Sequence, residues 1–391
     1  MLCITAYFAM AGGAILAPVL PEMVEPLQTT SHEIGLLLSA LTLSTAIFTL
    51  VIGYFIDRMN RKKILVPCLV IYGLPGLVSY FTSDLQLLLI LRFIQGIGAA
   101  ALLPLTMLVI ADVYKGHESF HAMSRVSMAL AIGSVSAPLI GGGLASFGWN
   151  YPFLFYALSL PFAFVVLIFL PETRVQRNND DHKGIINGFK ALKELRIIYT
   201  IFQSFAIFFL LYAVLVYVPF MLENVLGYTA KEAGLLLALQ GIAIIFTVSR
   251  VKSLANKYSK TIVIATGFVL TGMALLSISF AHSIVAVLPL MFLFGAGYGL
   301  AQTAIDTQII QIAPSESKGG VLSIHNSMKF VGTCLSPIVL GIVLSHFDLD
   351  TVFIAAGSFG LLVALITYLM KNIFENSNNK HTKETKISLP Q

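Results

Sequence analysis

Charge is what this sequence has least of. Only 11% of its 391 residues are Asp, Glu, Lys or Arg, where a soluble globular chain carries about 25%. The deficit runs along the whole length, which excludes a soluble domain held by a single anchor. Cysteine is nearly missing as well: Cys3, Cys68 and Cys334 all sit in apolar stretches with no CxxC spacing. They imply no disulfide framework and read as small packing residues. No Walker motif is present, so transport driven directly by ATP within this chain is not supported. The glycines of "GAGYGL" (295–300) follow no strand and make an implausible phosphate loop. A cleavable signal peptide is also missing from the reading, because the first apolar run has no basic leader and continues into "APVLPEM" (17–23). That run starts at Met1, so either the helix begins at the membrane surface or the true start lies upstream.

What fills the sequence instead is apolar residues, 57% of the total, with a mean hydropathy of +0.87. Runs of about 20 apolar residues, the length of a bilayer-crossing helix, recur from end to end. Twelve spans are expected near 2–20, 34–56, 64–82, 86–111, 124–146, 151–170, 197–220, 231–250, 261–281, 284–311, 319–345 and 351–371. The runs are too long and alternate too little for barrel strands. The expected fold class is an all-α polytopic membrane protein.

The basic residues set the expected topology. All lysines and arginines except Arg92, Lys231 and Lys329 fall in or beside the 2–3, 4–5, 6–7, 8–9 and 10–11 connections or in the tail. By the positive-inside rule both termini are cytoplasmic, and the protein is a multi-pass component of the cell membrane. The net charge of +5 reports this topology; nucleic acid is not an expected partner.

The chain also divides. The polar stretch "PETRVQRNNDDHKGIINGFKALKELR" (171–196) separates six spans (1–170) from six more (197–371), with a cytoplasmic tail, 372–391, that reads as disordered. An amphipathic helix is expected near 185–195 within that linker. The two sets of spans align at a constant shift of 199 residues. Asp57, Arg58 and Arg61 map onto Asn256, Lys257 and Lys260; Gly96 and Gly98 onto Gly295 and Gly297; and Gly133, Pro138 and Gly142 onto Gly332, Pro337 and Gly341. A parallel repeat of this kind is a transporter architecture, with the substrate path between the halves.

Three stretches then carry a family resemblance. "GYFIDRMNRKK" (53–63) places Gly53, Asp57, Arg58 and Arg61 in a connection between two spans. "LRFIQGIGAA" (91–100) places Arg92 inside a span, with Gln95, Gly96 and Gly98. "GSVSAPLIGG" (133–142) combines Gly133, Pro138, Gly141 and Gly142, a pattern that permits tight helix packing and a bend. Together they resemble the major facilitator superfamily, and within it the twelve-helix drug/proton antiporters, over about residues 1–371. "APVLPEM" and "GWNYPFLF" (148–155) add less specific support.

The resemblance implies a proton-coupled secondary transporter exporting lipophilic or amphipathic compounds by alternating access. It implies that Gly53, Asp57, Arg58 and Arg61 form a conformational latch, with Gly53 allowing helix 2 to approach helix 11 and Asp57 able to meet Arg61. Asn60 stands where the motif usually has Gly, and Asn tolerates the left-handed conformation. Arg92 is linked by the resemblance to proton transfer; a buried guanidinium must in any case face a cavity or a partner. The helix 5 pattern is associated with exporters, although Ala137 replaces a usual Gly.

The residues suggest a proton carrier independently. Asp306 is the carboxylate well inside a span, and His325 and Lys329 lie at similar depth on the next helix. A carboxylate, an imidazole and an ammonium there form either a relay or a static Asp306–Lys329 ion pair, depending on helix rotation. Gln95, Gln203, Tyr212 and Gln240 are candidate substrate-path residues. The small-molecule substrate, protons and the bilayer are the expected partners, for a monomer without cofactor or metal.

Other readings stay open. An importer or facilitator of a small metabolite fits the same architecture, as does a channel or receptor. "HESFH" (117–121) matches a zinc-protease pattern through His117, Glu118 and His121. No third ligand is evident nearby, and the shift of 199 places it in an ordinary connector.

Overall fold

The computed structural model describes residues 1–56, 59–114, 117–170, 190–314 and 317–372, with the side chains of 53–56, 117 and 120 left out. The helices, in chain order, are α1 (Leu2–Ala14), α2 (Leu36–Ile56), α3 (Arg61–Ser79), α4 (Leu85–Val113), α5 (His117–Ala145) and α6 (Tyr151–Phe169). They continue as α7 (Leu195–Asn224), α8 (Ala230–Tyr258), α9 (Lys260–Ile278), α10 (Ile284–Ile312), α11 (Lys318–His346) and α12 (Leu349–Leu369). Among the described residues eleven of these are long and apolar enough to cross a membrane, and α2 carries a shorter apolar stretch, Leu36–Ile52. Only helices satisfy their own backbone in hydrocarbon, so the apolar composition and the all-helical fold have one cause. The protein is a multi-pass membrane protein.

One end of the helical body, the basic face, carries Arg61, Lys62, Lys63, Lys257, Lys260 and Lys318 near helix ends. At the opposite face, helices begin with polar caps. Asp84 accepts from Gln86 N at 2.8 Å and Asp348 from Thr351 N at 2.8 Å, while Thr229 and Glu232 form a capping box. Such caps satisfy the orphan N–H groups of a first turn that lies at the edge of the apolar layer.

Several boundaries differ from the hydropathy reading. α5 begins at His117 rather than near 124, and α8 runs to Tyr258 rather than 250. Hydropathy marks where apolar residues stop, but a helix propagates through polar turns as long as each adds a backbone hydrogen bond. Of the amphipathic helix expected near 185–195, residues 185–189 lie outside the described residues, and Leu195 already opens α7. Asn60 is not left-handed: its φ is −57°, and its side chain caps α3 by accepting from Lys62 N. The strained residue is its counterpart 199 positions on, Ser259, with φ at +78°.

The 199-residue shift recurs in the packing. A Cβ on Gly98 would strike Cys68 O and Tyr72 N; one on Gly297 would lie 2.7 Å from Gly267 O and 2.9 Å from Thr271 N. Gly96 sits against Leu41 O and Gly295 against Gln240 O, again the same pairs displaced by 199. Each glycine lets two helix backbones touch where any side chain would hold them apart.

Candidate functional site

The two sets of six helices meet along a seam built from glycine, proline and small polar residues. A Cβ on Gly35 would lie 3.0 Å from Pro337 Cβ, and one on Gly234 would lie 2.5 Å from Pro138 O. Gly142 packs against Ala230 O, and Gly341 faces His32 O at 2.8 Å. The α2–α11 and α5–α8 crossings are thus the same contact made twice. Ser39 Oγ donates to Cys334 O at 2.8 Å, Ala230 N donates to Glu22 Oε1 at 3.2 Å, and Ser327 Oγ donates to Ala46 O at 3.0 Å. At the opposite face the seam is tight, with Gly142 on Ala230 O, Gly341 on His32 O and Ala230 N on Glu22. Gly141 and Gly133 serve α1 instead, against Ile15 O and Met10.

Inside the second half, α7, α10 and α11 bring five polar side chains together. Asp306 Oδ1 accepts from Lys329 Nζ at 2.7 Å and lies 2.9 Å from His325 Nε2, while Oδ2 accepts from Gln302 Nε2 at 3.0 Å. Lys329 also lies 5.6 Å over the Phe208 ring. Ser204 Oγ of α7 lies 3.1 Å from Nδ1 and 3.3 Å from Nε2 of His325. The His325 side chain is 2% exposed and Lys329 14%, yet Asp306 keeps 33% of its side chain accessible. Their counterparts in the first half are Met107, Val126 and Leu130, part of an apolar cluster with Ala6 and Ile110. The polar group is therefore not a requirement of the repeated fold, and it is costly to bury without use.

At the basic face, Arg61 Nε donates to Asp112 Oδ2 at 3.1 Å, tying the start of α3 to the end of α4. Lys260 donates to Gln311 at the equivalent place in the second half. Gly53 lies within α2, but Asp57 and Arg58 are outside the described residues.

Arg92 does not snorkel to the surface. It is 0% exposed, stacked 4.8 Å from Phe153 and 4.7 Å from Tyr156, and it donates to Gln95 Oε1 at 2.7 Å. Its Nε and Nη2 have no protein acceptor among the described residues. Phe153 belongs to "GWNYPFLF" (148–155), which the sequence offers only as a boundary motif, and Tyr156 follows it directly; their π faces supply the partner that no carboxylate provides.

Comparison with known proteins decides the family. The sequence profile of the Major Facilitator Superfamily matches residues 2–337 and 251–391. The chain belongs to the Major Facilitator Superfamily. It is 32% identical over 356 residues to the "Bacillibactin exporter" of Bacillus subtilis (strain 168), covering 86% of this chain and 87% of that one. It is 25% identical over 356 residues to "Multidrug resistance protein 1" of the same organism, covering 88% of each. Among solved structures, a bacterial homologue of the human lysosomal transporter Spinster, inward-facing and unoccupied, superposes with a TM-score of 0.83 at 16% identity over 96% of each chain. This major facilitator protein is a transporter, not an enzyme.

Three substrate-path candidates are buried within their own halves. Gln95 accepts from Arg92, Gln203 Nε2 donates to Thr367 Oγ1 at 3.0 Å between α7 and α12, and the Gln240 carbonyl lies against Gly295 of α10. All three are at most 3% exposed, and each keeps one buried side-chain atom without a protein partner among the described residues. Tyr212 is different: its hydroxyl contacts Gly13 of α1 across the seam. HESFH forms the first turn of α5, where Glu118 and His121 border a cavity of about 560 Å³ with Met1 and Arg125. Asp112, Ser204 and Gln302 are the members that sequence reasoning missed. Asp112 was findable, because Arg61 and Lys260 already differ by 199 and so do Asp112 and Gln311.

Proposed function

We propose that this transporter exports small lipophilic or amphipathic compounds in exchange for protons, by alternating access. The observation that carries the reading is the Asp306–His325–Lys329 cluster. It puts a protonatable, partly exposed carboxylate beside an ammonium and an imidazole in one half only. Ionised Asp306 holds Lys329; protonated Asp306 releases it, so the charge balance of the cluster changes by one with each proton. The exporter relatives support the direction, and the apolar walls support an amphipathic cargo. The positive-inside pattern supports cytoplasmic termini, with residues 1–170 and 197–371 as the two bodies that rock about the seam and 171–196 as their linker. Gly53, Asp57, Arg58 and Arg61, with Asp112, act as the latch of that motion, and Arg92 acts in coupling through the first half. The single chain works as a monomer.

The test is transport by the protein in proteoliposomes, with and without an imposed proton gradient, against lipophilic cations, siderophores and sugars. Proton-driven accumulation of an amphipathic compound, lost in Asp306→Asn while downhill flux persists, is the expected result. Sugar uptake indifferent to the gradient would establish the importer instead. A folded Asp306→Asn protein that still pumps would remove Asp306 from the mechanism.

A further inference from the structure

The two seams between the halves share one register and differ at one end. In the first seam, Gly35, Ser39 and Ala46 of α2 meet Pro337, Cys334 and Ser327 of α11. The 199-residue shift turns these into Gly234, Ala238 and Ile245 of α8, and Pro138, Val135 and Met128 of α5. Steps of three and four, singly or summed, keep each set on one helix face. Near the opposite face both seams are closed, with Gly35 on Pro337 and Gly234 on Pro138. Further along α8, a Cβ on Gly241 would still lie 2.9 Å from Val135 Cγ2 and 3.0 Å from Ser134 O.

Towards the basic face the seams part company. Ala46 is 3% exposed and Ser327 7%, and Ser327 Oγ donates to Ala46 O. Their counterparts Ile245 and Met128 are 44% and 63% exposed. One turn further, Val248 of α8 and Ser124 of α5 are exposed, where Thr49 and Ser323 of the first seam are half-buried. A face turned to lipid along its whole length would be exposed throughout. These two faces start buried against each other and end exposed, so α5 and α8 diverge. The cause is side-chain size: Ser and Ala let two backbones touch, whereas Met and Ile at the same positions hold them apart.

We propose that α5 and α8 frame a lateral entrance through which a single-chain amphipath passes from the leaflet at the basic face into the path between the halves. The inference rests on the reading of this protein as an exporter of amphipathic compounds, and it names the side from which such a cargo arrives. Met128, Ile245 and Val248 line the gap with hydrocarbon, and Met128, unbranched and flexible, adapts to chains of different shape. At the mouth, Ser124 and Lys252 continue the two faces and are exposed. Both are hydrogen-bond donors, placed at a helix end where the head group of an amphipath stays wet while its chain lies in the apolar layer. The head group that fits them is an acceptor, such as a carboxylate or a phosphate. The α2–α11 seam offers no equivalent, because the Ser327–Ala46 bond closes it at the depth where the other seam is open.

The experiment uses palmitate carrying a diazirine in its chain, dissolved in phosphatidylcholine–phosphatidylglycerol vesicles that hold the protein. After illumination the adducts are mapped by mass spectrometry, with and without excess plain palmitate. Adducts on Met128, Ile245 and Val248 that the excess suppresses are the expected result, with none on Ala46 or Ser327. Phe164 of α6 is the control, since its exposure, 63%, equals that of Met128; its labelling should not respond to the excess. Labelling of Met128 that responds no more than that of Phe164 would show ordinary lipid contact and overturn the entrance. So would saturable labelling of Ala46 and Ser327 equal to that of the α5–α8 pair. Ile245→Trp, at an exposed position, should abolish the saturable labelling of Val248 and the export of palmitate; wild-type export in that variant would show that cargo takes another way. Saturable labelling without proton-driven export in the wild type would remove the exporter reading and leave the entrance standing.

Discussion

Lys260 is hydrogen-bonded to Gln311 across a separation of 51 residues, the same separation that joins Arg61 to Asp112. The two bonds occupy equivalent places at the basic face, one between the start of α3 and the end of α4, the other between the start of α9 and the end of α10. One is an ion pair and the other a charge–amide contact. The tie is therefore repeated in geometry but unequal in strength, because a carboxylate attracts a guanidinium more strongly than an amide attracts an ammonium.

Removing the stronger tie should slow the conformational cycle without touching the cargo. Asp112→Asn is expected to lower the transport rate on the order of tenfold, the equivalent of about 1.4 kcal/mol. Binding of substrate to detergent-solubilised protein should stay within about twofold by titration calorimetry. Gln311→Leu should have a smaller effect on the rate. Loss of binding in Asp112→Asn would move this residue from the latch to the cargo site.

The seam at the opposite face depends on the absence of side chains. A Cβ at position 234 meets Pro138 O at 2.5 Å and Pro138 C at 3.2 Å, both backbone atoms that cannot swing aside. Gly234→Val should hold that face open. In protein whose native cysteines are replaced by Ala, an Ala230→Cys reporter, buried at 1% exposure, should become readily labelled by a membrane-impermeant maleimide once Gly234→Val is added. Transport should fall to background.

Ser259 holds φ at +78° and ψ at 152°, a region that side chains avoid, and its buried Oγ has no hydrogen-bond partner among the described residues. Glycine adopts that conformation freely. Ser259→Gly should stabilise the protein by about 1–2 kcal/mol, read as a higher midpoint of thermal unfolding in detergent. An unchanged or lower midpoint would show that this turn is not strained.

Closure at the opposite face should respond to pH through Glu22. Half-burial raises its carboxyl above the usual range, and the Ala230 N–H that it accepts offsets only part of that. A carboxyl whose value is raised in the closed form binds its proton more tightly there. The closed form is therefore favoured at low pH and loses this advantage as pH climbs from the ordinary carboxylate value through the raised one. Labelling of the Ala230→Cys reporter should rise across that interval, and Glu22→Gln should flatten the rise.

Much of this was legible in the residues. The twelve spans follow from apolar runs that no other structure could place in hydrocarbon, and the repeat follows from glycines and prolines whose job, close backbone approach, tolerates no substitute. Asp306, His325 and Lys329 stood out because charge inside a span needs a reason. The burial of Gln95, Gln203 and Gln240 was not legible, since a glutamine looks alike in sequence whether it faces a cavity or lies between two helices. Arg92 could be read as buried, but its partners, Phe153 and Tyr156, are aromatic residues 61 and 64 positions away with nothing in their type to announce them.

The sequence by itself determined that the chain crosses the membrane many times, that its two halves share a plan, and which few polar residues are misplaced in that plan. These properties depend on composition and spacing, which act locally along each helix. The tertiary structure alone decided which polar residues meet. A rotation of about 100° separates neighbouring positions on a helix, so whether His325 turns to Asp306, and Ser204 to His325, depends on how α7, α10 and α11 pack. That packing is set by dozens of weak contacts and by glycine crossings such as Gly332 on Phe205 and Gly295 on Gln240, none of which carries a signature in the residues it orients.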